Sequence, residues 1–125
     1  MKKSYTAIGF LAAMATLDAN AGVSLYMCNE PLNISNCELE HNNSPTCTYQ
    51  NTANVPFSAT LKVYAYDKNN TQLGMDGWVY IKGLQPGQSI RKDTFLSEGD
   101  DADKIVFCTM DPYTEVVRNN LKSIY

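Results

Sequence analysis

From residue 22 onward the chain repeats one pattern: short apolar–polar alternations of period two, each broken by Asn, Asp, Gly or Pro. The clearest covers residues 59–67. Leu61, Val63 and Ala65 fall on one side and Lys62, Tyr64 and Tyr66 on the other, as a strand with one buried face requires. Asp67-Lys68-Asn69-Asn70-Thr71 follows as a hairpin loop. Asn70 is the best non-glycine residue there for the left-handed position that closes a three-residue turn. Pairing Asp67 with Thr71 sets Ala65 opposite Leu73 and Val63 opposite Met75. Without a bulge, Leu73, Met75, Val79 and Ile81 then share the inner face, and Trp78 and Tyr80 join Tyr64 and Tyr66 on the outer one.

Weaker versions of the pattern flank this hairpin. Residues 23–28 read as a first short strand. Residues 29–45, polar and rich in Asn, read as a long loop with at most a short strand around Cys37-Glu38-Leu39. Residues 46–51 alternate, with Cys47 and Tyr49 on one face, and Asn54-Val55-Pro56 ends them. Gly83-Leu84-Gln85-Pro86-Gly87-Gln88 places Pro and Gly as a type II turn prefers. Residues 89–95 predict a further strand, 97–103 an acidic loop and 104–110 a buried strand. Asp111-Pro112 then offers a helix N-cap with proline in the first turn, and Tyr113, Val117, Leu121 and Ile124 recur at helical spacing. A last hairpin turning at Asn119-Asn120 is the competing reading of this end.

Roughly six or seven short strands with turn residues between them predict an all-β chain, a small antiparallel β-sandwich. The punctuation carries a family likeness. The run Gln50-Asn51-Thr52-Ala53-Asn54-Val55-Pro56, then Leu61-Lys62-Val63-Tyr64-Ala65-Tyr66-Asp67, then Gly83-Leu84-Gln85-Pro86-Gly87-Gln88-Ser89 resembles the FxLYD domain family. The likeness spans about half of residues 22–125 and departs from the family pattern at Tyr64-Ala65-Tyr66-Asp67; the cysteines and the acidic loop lie outside it. It implies an immunoglobulin-like sandwich of the kind found in bacterial exported proteins, and it brings no catalytic residues.

The first 21 residues break the pattern. Met1-Lys2-Lys3, an apolar run over 7–17 and Ala19-Asn20-Ala21 make a secretory signal peptide, bacterial in its short start. That run is roughly half of the ~20 residues a membrane-spanning helix needs, and the residue directly after the cut is Gly22, not a cysteine that could take a lipid. Cleavage after Ala21 leaves one domain, residues 22–125, long enough for one modest core and bound for the periplasm or the exterior. Of the chain's 10 basic and 13 acidic side chains, Lys2, Lys3 and Asp18 leave with the leader, so 8 and 12 remain, a net charge of −4. That balance argues against a nucleic-acid partner. No polybasic cluster is present to hold an anionic membrane.

Cys28, Cys37, Cys47 and Cys108 are an even set in an oxidising compartment, which predicts two disulfides. Three pairings are open. Cys28 with Cys37, closing a short loop, and Cys47 with Cys108, tying an early strand to a late one, is the expected one. The spacings do not suit zinc, which favours cysteines two to four residues apart.

Catalytic chemistry has little to build on. His41 is the only histidine, in a polar loop beside Glu40, and no nucleophile elbow, phosphate-binding glycine loop or paired-histidine motif occurs. Glu98, Asp100, Asp101 and Asp103 crowd one loop, but without the alternating ligands and late bidentate Glu of a calcium loop. Their expected use is to steer a basic partner. Tyr64, Tyr66, Trp78 and Tyr80 make an aromatic face of the residue types that dominate binding hot spots. Either the chain's own segments cover it or a partner does. The expectation is therefore an exported, non-enzymatic binding protein acting through protein–protein contact, of the inhibitor or toxin-immunity type. It needs no cofactor and no metal, and its partner is another protein, a basic one if the acidic loop steers it. The alternative is a structural or assembly accessory of the bacterial cell envelope.

Overall fold

Where the alternation lets half of a segment be buried, the chain forms strands. The computed structural model describes residues 22–109 and 120–124. The leader reading for residues 1–21 and the helix start at 111–112 lie outside them. In chain order the strands are β1 (Ser24–Met27), β2 (Leu32–Leu39), β3 (Pro45–Asn51), β4 (Phe57–Tyr66), β5 (Gly77–Leu84), β6 (Ser89–Asp93), β7 (Lys104–Cys108) and β8 (Lys122–Ser123). Five form one sheet, in the order β5-β4-β7-β1-β8, and three form another, β2-β3-β6. The sheets share one core, in which Leu32, Ile34 and Tyr49 of the smaller sheet join Leu61, Val63, Ile105 and Phe107 of the larger. The Tyr49 and Phe107 rings meet edge to face at 6.4 Å, a favoured aromatic geometry. The chain is thus mostly β, in two layers. One pairing departs from the antiparallel expectation: β1 runs parallel to β7, with Leu25 opposite Ile105. Parallel neighbours need a long crossover, and here all the strands between them supply it.

The disulfides overturn the expected pairing. Cys28 joins Cys108, 80 residues away, and Cys37 joins Cys47, 10 residues away. Cys28 and Cys37 are neighbours in sequence but adjoin different sheets: Cys28 directly follows β1, where its N–H donates to the Phe107 carbonyl of β7 (2.9 Å), and Cys37 sits in β2 across the hairpin from Cys47. A strand-to-strand bridge needs side chains on facing positions, and sequence proximity does not supply that. The loop expected over 29–45 is likewise mostly strand. Leu32, Ile34, Cys37 and Leu39 are buried, with the register of β2 against β3 shifting between Ser35 and Glu38 and Asn36 in the left-handed region at φ 51°.

The central hairpin turns as predicted and then slips. Asp67 donates its N–H to the Thr71 carbonyl (2.9 Å), Asn70 lies at φ 63°, and Leu73 donates to the Ala65 carbonyl (2.8 Å). Beyond that point Val63 pairs with Gly77 instead of Met75, and Leu61 with Val79. Two extra residues are therefore accommodated between Leu73 and Gly77, and Met75 is expelled to 74 % exposure. A slip of two preserves strand parity, so Val79 and Ile81 still point inward while Trp78 and Tyr80 point out. At the other end of the chain, Ile124 packs on the main core and Leu121 on the outer face of the large sheet. Opposite faces three residues apart are strand geometry, so residues 121–124 do not continue the predicted helical spacing.

Two neighbouring hydroxyls are buried at the core without full hydrogen-bond geometry. The hydroxyls of Tyr49 and Thr94 are both buried, and neither meets hydrogen-bond geometry with any partner. Burial pushes the Tyr49 phenol far above its usual range, and the neighbouring Thr94 hydroxyl and Arg91 offset that only in part. The folded state therefore keeps the phenol protonated at pH values where an unfolded tyrosine ionises, so stability falls as pH rises through about 10. A hydroxyl buried without a partner costs about 1–3 kcal/mol. Tyr49→Phe should leave the melting temperature at pH 7 unchanged or raised, and should weaken the alkaline loss. Thermal unfolding at both pH values checks this, and a clear drop at pH 7 would show that the hydroxyl is bonded after all.

Candidate functional site

The predicted aromatic face is divided. Tyr64 and Tyr66 on β4 pack with Val106, Cys108 and Cys28 into a second, outer cluster, joined by the half-buried Tyr26 and Leu121. The two tyrosines are only 7 % and 5 % exposed, their rings stack at 6.3 Å, and the Lys104 ammonium lies 5.6 Å from the Tyr66 ring. The Cys28–Cys108 bridge belongs to the same cluster, so the staple and the stacked pair shield each other. Just past the bridge, the backbone N–H and the hydroxyl of Thr109 both donate to the Glu30 carboxylate (3.0 and 2.7 Å). The alternation assigned Tyr64 and Tyr66 to the correct side of the sheet. They are nevertheless removed from any partner-facing surface, because that side is covered there.

One strand further out, the cover ends. Trp78 and Tyr80 are 56 % and 65 % exposed on β5, the edge of the large sheet. Two residues not foreseen for the site join them, the expelled Met75 and Phe95, which is 68 % exposed. Met75, Asp76, Gly77, Trp78, Phe95 and Ser97 line a depression of about 390 Å³. Its base is a close crossing of two segments. A Cβ on Gly77 would lie 2.7 Å from both the Phe95 carbonyl oxygen and the Thr94 methyl, and one on Gly74, at φ +66°, would meet Ser97 Oγ at 2.5 Å. Ser97 Oγ in turn accepts from the Met75 N–H (3.2 Å). Only glycine fits at these crossings, so Gly74 and Gly77 are the sequence features that could have betrayed both the bulge and the site. Lys62, across from Trp78, reaches Asp76 at 3.8 Å.

The acidic loop adjoins this depression. Glu98, Asp100, Asp101 and Asp103 are all exposed. The short 3-10 turn Gly99–Asp101 docks against a second such turn, His41–Asn43. Asn43 donates its amide to the Gly99 carbonyl (2.8 Å), and with its amide turned so that Nδ2 faces the carboxylate, Asn42 donates to both Asp100 oxygens (3.0 and 2.9 Å). A Cβ on Gly99 would overlap the Asn42 carbonyl oxygen. No three His, Cys, Asp or Glu side chains among the described residues are grouped to hold a metal ion. His41 is exposed and shares a second depression, of about 180 Å³, with Glu40, Ser44, Thr46, Asp93, Thr94 and Phe95. Phe95 thus borders both depressions.

No protein family, curated protein or solved structure matches this chain. Two bridges in a small β domain suit an extracellular or periplasmic setting. No helix among the described residues is long and apolar enough to cross a membrane.

Proposed function

We propose that this is an exported, non-enzymatic binding domain, immunoglobulin-like in its sandwich and similar to FxLYD domains. It acts by contact with another protein, as a periplasmic inhibitor or toxin-immunity protein does. The observation that carries the reading is the depression shared by Met75, Trp78 and Phe95, with Tyr80 exposed two residues beyond Trp78 on β5. These four large apolar side chains stand exposed beside the glycine crossings, while among the described residues Val55 is the other large apolar side chain exposed to that degree. A rigid base under exposed aromatic and methionine side chains is what a low-entropy contact surface needs. The FxLYD-like residues support the fold half of the reading through their structural work. Asn51 ties two turns together, Asp67 Oδ1 accepts from Asn69 and Thr71 N–H groups (2.8 and 3.0 Å), and Gly87 lies at φ +79° within the Pro-Gly turn.

The envelope-accessory reading draws on one further observation, that β5 is an eight-residue edge strand. An edge presents unpaired backbone groups to which another chain can add a strand. Exposed Lys82 is the kind of charge that discourages such addition, which favours side-chain contact over strand addition.

The test is recovery of a partner from the envelope fraction of the producing cells, followed by affinity measurement with variants. Trp78→Ala with Tyr80→Ala should weaken binding at least about thirtyfold, the ~2 kcal/mol threshold of a hot spot, and shift stability by no more than about 0.5 kcal/mol. Tyr64→Ala should do the reverse, with a loss of about 3 kcal/mol of stability from the outer cluster. Full binding by the Trp78/Tyr80 double variant would sink the assignment of the surface.

A further inference from the structure

The two depressions beside Phe95 differ in chemistry. On one side are Met75 and Trp78 with Asp76; on the other are the carboxylates of Glu40 and Asp93 with Thr46 and Thr94. The acidic loop continues the rim: Ser97 lines the apolar side, and the Glu98 backbone lies against Gly74. Charge around this surface is one-sided. Glu40, Asp93, Glu98 and Asp101 form no ion pair with another described residue, while Lys62, the cation beside the depression, already faces Asp76. Uncompensated carboxylates around an exposed apolar centre are poorly used by an apolar small molecule. They also repel acidic ligands and disfavour a second copy of this chain, whose formal charge is −3.

We infer that the depressions on either side of Phe95 form one bipartite site for a cationic polypeptide segment that carries an apolar anchor. The anchor, a Leu, Met or aromatic side chain, enters between Met75, Trp78 and Phe95. A neighbouring Lys or Arg reaches over Phe95 to Glu40 and Asp93, and the loop carrying Glu98, Asp100 and Asp101 steers the approach. The inference rests on the proposed protein-binding role and deepens it. It joins the aromatic residues and the acidic loop, which sequence offered as separate surfaces, into one.

The chain's single tryptophan is a reporter inside the site, since Trp78 lines the apolar half. The experiment selects a displayed library of random dodecapeptides on the purified protein with both bridges formed, then titrates the selected peptides while following Trp78 emission. The expected peptides place Lys or Arg close to Leu, Met or an aromatic residue, shift Trp78 emission on binding, and weaken as salt rises. Phe95→Ser should weaken them at least tenfold. Glu40→Gln with Asp93→Asn should weaken them about fivefold and flatten the salt dependence, with unchanged circular dichroism in both cases. The inference is overturned by selected peptides without net positive charge, by affinity indifferent to the Glu40/Asp93 change, or by a library that yields no binder. Peptides that bind without responding to any of these variants remove the site and leave the protein-binding role standing. The envelope-partner assay with the Trp78/Tyr80 variant judges that role separately.

Discussion

Replacing Cys28 and Cys108 together by alanine should cost far more stability than the same change at Cys37 and Cys47. The chain-entropy difference alone sets the order. A bridge closing 80 residues constrains the unfolded chain by about 4.5 kcal/mol, and one closing 10 by about 2.7 kcal/mol. Location widens the gap. The long-range bridge is part of the cluster that covers Tyr64 and Tyr66, so its loss also loosens their packing. Set against the roughly 5–15 kcal/mol typical of a folded domain, the Cys28/Cys108 variant should be marginal or unfolded at 37 °C, while the Cys37/Cys47 variant should keep its strands. Urea unfolding followed by circular dichroism decides it. Equal losses, or a larger loss at Cys37/Cys47, would contradict the entropic ranking.

The misreading of this pairing and the misreading of β2 have a common origin. Both came from treating residues 29–45 as loop. Leu32 and Ile34 keep the period of two, and Cys37 and Leu39 keep it as well, but the bulge between Ser35 and Glu38 inserts an odd step between the two halves. An alternation interrupted by one residue cancels itself over a short window, and the asparagines that fill the outward and bulged positions look like loop composition. With β2 hidden, the nearest cysteine in sequence looked like the nearest in space. The central hairpin was legible because its turn residues and its alternation agreed. Its later slip was not, because Asp67 and Thr71 fix the register only of the first pairs.

The site was legible in direction and obscure in extent. Periodicity placed Tyr64, Tyr66, Trp78 and Tyr80 on one side of a sheet, which is where they lie. Whether a face is covered depends on segments distant in sequence: here the end of β1, the Cys28–Cys108 bridge and Leu121, none of which a local pattern reports. Phe95 was hidden for a different reason. It follows β6, in a strand pattern already weak, and its neighbours Thr94 and Leu96 are buried on either side of it. The crossing at Gly77 turns that short stretch over the edge of β5 and leaves the Phe95 ring outside.

Asn51→Ala should be the most damaging single polar change among the described residues. Asn51 is 1 % exposed, and the three hydrogen bonds of its amide all go to backbone. Nδ2 donates to the carbonyls of Val55 and Leu84, each at 2.8 Å, and Oδ1 accepts from the Ala53 N–H at 2.8 Å. Its own backbone accepts from Gly87 (2.9 Å) and donates to Gln88 (3.1 Å), so one residue joins the turn after β3 to the turn after β5. Alanine removes three side-chain bonds and strands the Leu84 carbonyl in a buried setting, for a combined loss of about 3–4 kcal/mol. Asn51→Asp is the sharper probe, because it keeps the acceptor and the shape while removing both donors. At neutral pH it sets a carboxylate against two carbonyl oxygens without water, so it should be at least as unstable as the alanine variant. Burial and those carbonyls raise the folded-state pKa of the new carboxyl above its unfolded value. Stability is then greatest at low pH and is lost as pH rises through the unfolded carboxyl range. Acidification should therefore restore part of the deficit of Asn51→Asp relative to wild type, and leave the deficit of Asn51→Ala unchanged. Urea unfolding at pH 4 and pH 7 separates the two variants, and an Asn51→Asp protein as stable as wild type at pH 7 would show that the amide is not donating.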